Sequence, residues 1–74
     1  MRRYRTEIEL SGRRHETYRE AESAEDAAAQ AARAWYLDAT VEHSRDGQDL
    51  YGPYREYTAR SGYSRIPTSV RVRE

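Results

Sequence analysis

The stretch RRYRTEIEL, residues 2–10, sets Tyr4, Thr6, Ile8 and Leu10 against Arg3, Arg5, Glu7 and Glu9 in strict alternation. Side chains on a strand alternate between faces, so this pattern specifies a strand with one apolar and one charged face. Ser11-Gly12 supplies a tight turn, and RRHETYREAE returns antiparallel to the first strand, since two residues are too few for a crossover. Two faces compete for the inside of this second strand: His15, Thr17, Arg19 and Ala21, or Tyr18 with Arg14, Glu16 and Glu20. The first is preferred because Ala21 leads into the next element, and it leaves Tyr18 on the charged face. A hairpin with one apolar face needs a cover.

The cover is SAEDAAAQAARAWYL, residues 23–37. Ser23 is a good N-cap. Glu25 and Asp26 lie in the first turn, where the helix dipole favours acids, and Ser23 to Asp26 has the spacing of a capping box with Asp in place of Glu. Ala24, Ala27, Ala28, Ala31, Ala34 and Trp35 form one stripe, and Asp26, Gln30 and Arg33 lie outside it. Alanine lets the helix lie close to a sheet, with Trp35 covering one end.

In the second half, DATVEHS reads as a short strand, RDGQ as a turn around Asp46-Gly47, the pair favoured in type I′ hairpins, and QDLY as the start of the return strand. Gly52-Pro53 interrupts that strand, because proline lacks the donor a central ladder needs. YREYT resumes it, SGYSRIP reads as a loop, and TSVRVRE closes the chain with Val70 and Val72 facing one way and Arg71 and Arg73 the other. Residues 58–69 are expected to be locally mobile. The expectation is a single α+β domain spanning 1–74, with an antiparallel sheet of four to five strands packed on one alanine-rich helix in the order β-β-α-β-β.

Such a domain has little to build a core from. Among its 74 residues the branched aliphatics are Ile8, Leu10, Leu37, Val41, Leu50, Ile66, Val70 and Val72, with no phenylalanine. Its mean hydropathy is −1.18. Disorder usually joins low hydropathy to high net charge, whereas here 13 basic and 13 acidic residues cancel, and one Trp and seven Tyr add apolar area. The chain therefore reads as folded but lean, with a thin stability margin. The absence of cysteine removes disulfides and thiolate zinc sites, and no long apolar run suggests a signal or membrane segment, so a cytoplasmic protein without a membrane partner is expected. Every basic residue is arginine. Residues 1–14 hold five Arg against two Glu, residues 15–49 three Arg against nine acids, and residues 50–74 five Arg against two Glu, a basic-acidic-basic order. Pairing of the two ends in one sheet would put their arginines on one face.

Catalytic chemistry finds little support. His43, Ser44, Asp46 and Asp49 are triad residue types, but a hairpin turn explains them and no nucleophile elbow surrounds the serine. Glu42, His43, Asp46 and Asp49 match neither zinc nor calcium spacing, and the glycines at 12, 47, 52 and 62 are isolated, so no metal, cofactor or phosphate loop is expected. The stretch LYGPYREYTARSGYSRIP stands apart. Its Tyr51, Tyr54, Arg55, Tyr57, Arg60, Tyr63 and Arg65 are of the residue types enriched in protein-interface hot spots, and the same types serve single-stranded nucleic acid by stacking and phosphate neutralisation. Spacings of three split Tyr51, Tyr54 and Tyr57 between two strand faces, so one helix cannot bury them all. At least one of them, and Tyr63, should be exposed.

The strand, Gly turn, strand and EAESAEDAAAQAA layout of residues 3–37 resembles small phage and prophage proteins, including some anti-CRISPR proteins. That resemblance implies a non-enzymatic inhibitor that binds a host protein or ribonucleoprotein complex, and it carries over no functional residue. Ser11, Gly12, Arg13 and Arg14 also resemble the Gly-Arg hairpin of phage-integrase arm domains, although that family places three strands before its helix. This implies an alternative, a nucleic-acid-binding accessory protein using Arg3, Arg5, Arg71 and Arg73. A third reading is a homodimer that completes the lean core.

Overall fold

The computed structural model describes all 74 residues. In chain order the elements are β1 (Arg2–Leu10), β2 (Arg13–Ala21), α1 (Ala24–Arg33), β3 (Thr40–Asp49), β4 (Gly52–Ser61) and β5 (Ser64–Arg73). The order is β-β-α-β-β-β, and all five strands form one open antiparallel sheet arranged β2-β1-β5-β4-β3. No helix is long and apolar enough to cross a membrane.

The first half follows its sequence pattern closely. Ser11 (φ 52°) and Gly12 (φ 77°) take the two left-handed positions of a tight hairpin turn. Tyr4, Thr6 and Ile8 sit opposite Arg19, Thr17 and His15, which places the preferred face of β2 under the helix and leaves Tyr18 exposed on the other side. Thr6 and Thr17 hydroxyls share a 2.8 Å hydrogen bond across that pair. Ser23 caps α1 by accepting from the Asp26 amide at 3.2 Å.

The helix is shorter than the sequence pattern suggests. It ends at Arg33, and a tightened turn follows in which the Trp35 and Tyr36 amides both donate to the Ala32 carbonyl. Ala34 and Trp35 therefore leave the buried stripe. Alanines 24, 27, 28, 29, 31 and 32 are its buried residues. Trp35 does not cover the sheet from within; it lies half exposed against the His15 ring, 4.7 Å between centroids. Because these alanines are small, the sheet comes close to the helix, and the core is completed by Tyr4, Ile8, Tyr57, Ala59, Val70 and Val72.

In the second half three expectations are corrected. Asp46-Gly47 is not a turn: β3 runs straight through it, and the two-residue turn is Leu50-Tyr51, where the Asp49 carboxylate accepts the Tyr51 amide at 2.8 Å. Gly47 is required for a different reason. It faces Tyr54 across the ladder, and a Cβ there would overlap the Tyr54 phenol ring. Gly52-Pro53 does not interrupt a strand but opens β4, with Gly52 at φ 107° and Pro53 paired to Gln48. Residues 58–69 are not a loop, since β4 and β5 continue through them to a turn at Gly62-Tyr63. Pro67 is accommodated because three residues of β5, Arg65 to Pro67, oppose Arg60 alone in a bulge where a ladder donor is not needed.

The edge strands β2 and β3 carry charges along their length, and Ser44 bulges β3, so neither edge is a flat template for another strand. The packing of Tyr54 over Gly47 yields a sign-specific prediction. Gly47→Ala should be neutral or destabilising in the native background, because the tyrosine ring must swing away. In a Tyr54→Ala background the same change should stabilise by about 0.5–1 kcal/mol, the usual preference for alanine over glycine in a strand. Urea unfolding of the four proteins in the cycle would measure it.

Candidate functional site: a consumed open face and an apolar end

The Tyr/Arg stretch does not form one surface. Strand β4 has ten residues and is therefore about 30 Å long. Tyr51 lies in the turn before it, while Tyr63 lies in the turn after it, at the opposite end of the molecule; both are exposed. Between them the strand alternates as its spacing requires. Tyr54 faces the side away from the helix, half-buried, with the Arg71 and Arg73 guanidinium carbons 4.4 and 5.1 Å from its ring centre. Tyr57 faces α1 and is buried in the core, where burial pushes its hydroxyl pKa up. It is removed from the contact residues expected from sequence. Arg55 sits exposed on the helix side, and Arg60 and Arg65 are exposed near Tyr63.

Arg3, Arg5, Arg71 and Arg73 do share the sheet face that has no helix, as the pairing of the chain ends brings β1 beside β5. Carboxylates occupy most of them. Arg73 donates to Glu7 at 2.6 Å, to Asp49 through both terminal nitrogens and to the Gly52 carbonyl at 2.9 Å. Arg71 binds Glu56 at 3.2 Å and approaches Asp49 at 3.7 Å, and Arg5 binds Glu16 at 2.9 Å. Arg45 and Arg14 extend the mesh to Glu56 and Glu7. Its hydrogen bonds shift titrations coherently. The Arg73 bond holds the Asp49 carboxyl below its ordinary value, and Asp49 in turn raises Arg73. Burial pushes Glu56 up, but Arg45, Arg71 and Ser69 outweigh it and leave its pKa lowered. Of the four arginines, Arg3 alone has no carboxylate in this mesh, and it lies over the Tyr18 ring at 4.6 Å. A face whose charges are already matched attracts a polyanion weakly.

The end bearing Tyr63 has a different character. Asp38, in the segment after α1, accepts from the Ser61 hydroxyl and from the Gly62 amide at 2.9 Å, tying that segment to the β4–β5 turn. These two bonds, the serine's first, hold its carboxyl below the ordinary value. The tie joins the segment that carries Leu37, 88 % exposed, to the turn that carries Tyr63, 80 % exposed, and Ile66, 76 % exposed, follows on β5. Half-buried Leu10 and Tyr36 pack against the core. Arg13, Arg60 and Arg65 surround this end, and none has a carboxylate partner. Leu37 and Ile66 were not among the residues picked out from sequence. Their signal was present: of eight branched aliphatics, they and Leu50, fully exposed in the β3–β4 turn, fall outside the alternating and helical patterns that define the core.

The triad residue types noted in the sequence do not converge. His43 Nε2 meets Asp46 Oδ1 at 2.8 Å on an exposed edge, while Asp49 is turned to Arg73 on the other face. No three His, Asp or Glu side chains converge on a common point.

The arginines of the open face should separate by role. Arg73→Ala leaves buried Glu7 with only the 3.4 Å contact to Arg14 and should cost about 3 kcal/mol, a large part of the stability of so small a domain. Arg3→Ala should stay within about 0.5 kcal/mol of the parent. A second prediction concerns Asp38. Its folded pKa lies below the ordinary 3.8, so its stabilising contribution is present above that pH and is lost as pH falls through the folded value. The Gly62 amide resonance should report this titration below pH 3.8, and Asp38→Asn should abolish it. Compared with known proteins, the chain matches no family model, no curated protein and no solved structure.

Proposed function

We propose that this chain is a non-enzymatic protein-interaction module whose contact surface is the apolar end formed by Leu37, Tyr63 and Ile66, with Arg60 and Arg65 at its rim. One observation carries the reading: a chain with eight branched aliphatic residues leaves Leu37 and Ile66 more than three-quarters exposed at the same end of the sheet as the exposed Tyr63. Single exposed apolar residues are ordinary, but several at one end of a small domain are a mark of an interaction site. The composition agrees. A central tyrosine flanked by aliphatics and ringed by arginines resembles an interface core with its polar rim.

The partner is a protein surface with an apolar hollow and acidic margins. The resemblance to small phage proteins makes a host protein or ribonucleoprotein complex the natural candidate, and inhibition the natural consequence. The broad nucleic-acid reading, four arginines acting together, is disfavoured because Arg5, Arg71 and Arg73 are matched by Glu16, Glu56, Glu7 and Asp49. Self-association through the same patch is the remaining alternative occupant.

Affinity capture from a nuclease-treated lysate, comparing the parent with Tyr63→Ala/Ile66→Ala, tests the proposal. Both positions are exposed, so the double variant should keep the parent circular dichroism spectrum and melting temperature. The expected result is a captured protein that the variant loses by tenfold or more and that resists a rise from 50 to 200 mM salt. Equal capture by both proteins would sink the proposed surface. Light scattering that shows a dimer dispersed by the same substitutions would identify the partner as a second copy.

A further inference from the structure

The open face is not uniformly consumed. Beside the chain ends an open cleft of about 690 Å³ is lined by Arg3, Arg5, Tyr18, Tyr51, Pro53, Arg73 and Glu74. Two of its tyrosines are among the most exposed aromatic residues of the chain, Tyr18 at 62 % and Tyr51 at 70 %. Each ring has an arginine beside it: Arg3 lies 4.6 Å from the centre of Tyr18, and Arg5 lies 5.7 Å from that of Tyr51. Arg3 has no carboxylate partner. Arg5 gives a terminal nitrogen to Glu16, while its Nε–H is buried with no acceptor. The only acid lining the cleft, Glu74, is held by Arg2 at 2.7 Å. Glu20 faces Arg3 across the β1–β2 pair, yet like Glu16 it does not line the cleft.

We infer that this cleft binds a short single-stranded segment of nucleic acid, with bases stacked on Tyr18 and Tyr51 and a phosphate on Arg3. Exposed rings interleaved with cations are the common platform for single strands, because every base has a face to stack and every linkage a phosphate to neutralise. An acidic peptide would use the arginine but leave two exposed rings without a role. Arg5 and Arg73 are already matched, by Glu16 and by Glu7 with Asp49. The site therefore neutralises one phosphate, which fixes its salt dependence. For single strands the logarithm of affinity falls with a slope of roughly −0.7 per phosphate, so one phosphate predicts an affinity about 2.6-fold weaker at 200 than at 50 mM salt.

This site lies at the opposite end of the sheet from Tyr63 and is independent of the proposed protein contact. Fluorescence anisotropy of a labelled thymidine octamer, titrated with the full chain, tests it. Binding is expected, weakening about 2.6-fold across that salt range. Tyr18→Ala and Tyr51→Ala should each weaken it about fivefold or more, Tyr18→Phe should retain it, and Arg3→Ala should flatten the salt slope by about 0.7. Tyr63→Ala/Ile66→Ala should bind like the parent, so failure here and failure of the apolar end are read separately. These residues are exposed, and circular dichroism of each variant would verify that it is folded. No binding up to about 10⁻⁴ M protein, the weak end of non-specific affinities, would overturn the inference. So would binding indifferent to Tyr18→Ala and Arg3→Ala, or binding of an acidic peptide but not of the octamer.

Discussion

A single guanidinium joins the two halves of this molecule. Arg73, on β5, reaches Glu7 on β1, Asp49 at the end of β3 and the Gly52 carbonyl at the start of β4, so four of five strands meet at one side chain. The position matters because β1 and β5 pair over only four residues, Arg5 to Ile8 against Arg73 to Val70. That seam is the only strand pairing between the β1–β2 hairpin and the β3–β4–β5 meander. Buried ion pairs seldom add much net stability over apolar residues of the same shape, but they are unforgiving of a wrong partner. Arg73 and Glu7 thus fix which strands meet, and the thin alanine core on the other face holds them there.

That division follows from the composition. With few branched aliphatics the chain cannot build a layer on both sides of the sheet. The helix side takes Ile8, Val70, Val72, Tyr4 and Tyr57, with alanine permitting close approach, and the other side is closed by carboxylate–arginine contacts and by Tyr54 lying over Gly47. Tyr54 is in this sense a structural residue. It fills the gap left by a glycine and gives Arg71 and Arg73 an aromatic surface, which is why a tyrosine picked out as a contact residue is half-buried.

Local patterns were legible wherever one physical cause dominated. Alternation marked β1, Ala21 leading into the helix chose the correct one of two competing faces of β2, and Ser23 marked the start of the helix where its hydroxyl now accepts a backbone donor. Spacings of three separated Tyr54 from Tyr57. Where a residue type serves two causes, sequence misled. Asp-Gly is the favoured type I′ pair because glycine tolerates a left-handed backbone, but Gly47 was needed for its missing side chain, and the turn fell four residues later on Leu50-Tyr51, with Asp49 supplying the hydrogen bond. Gly62 and Pro67 looked like a loop because neither favours a strand, yet one sits in a tight turn and the other in a bulge. The candidate sites were less legible still. Asp38, Ser61 and Gly62 bring the segments of Leu37 and Tyr63 to one end, and Tyr18 and Tyr51 line one cleft across three strand pairings, relations that exist only once the strand order is known.

The arrangement separates stability from recognition. Charge matching on the open face removes Arg5, Arg71 and Arg73 from long-range attraction, so a neutral chain rich in arginine does not behave as a general polyanion binder. Of the arginines without a carboxylate partner, Arg13, Arg60 and Arg65 lie at one end of the sheet and Arg3 beside exposed tyrosines at the other, while Arg19, Arg33 and Arg55 are not on the open face. These ends are where strands run out of partners and the helix no longer covers the sheet, so they are the places where Leu37, Ile66, Tyr18 and Tyr51 can be exposed without weakening the core. A domain this small has no second layer in which to bury a site. Its recognition surfaces therefore sit at the margins of the fold, and because Arg73 and Asp38 hold those margins in place, the exposed side chains are ordered before any partner arrives.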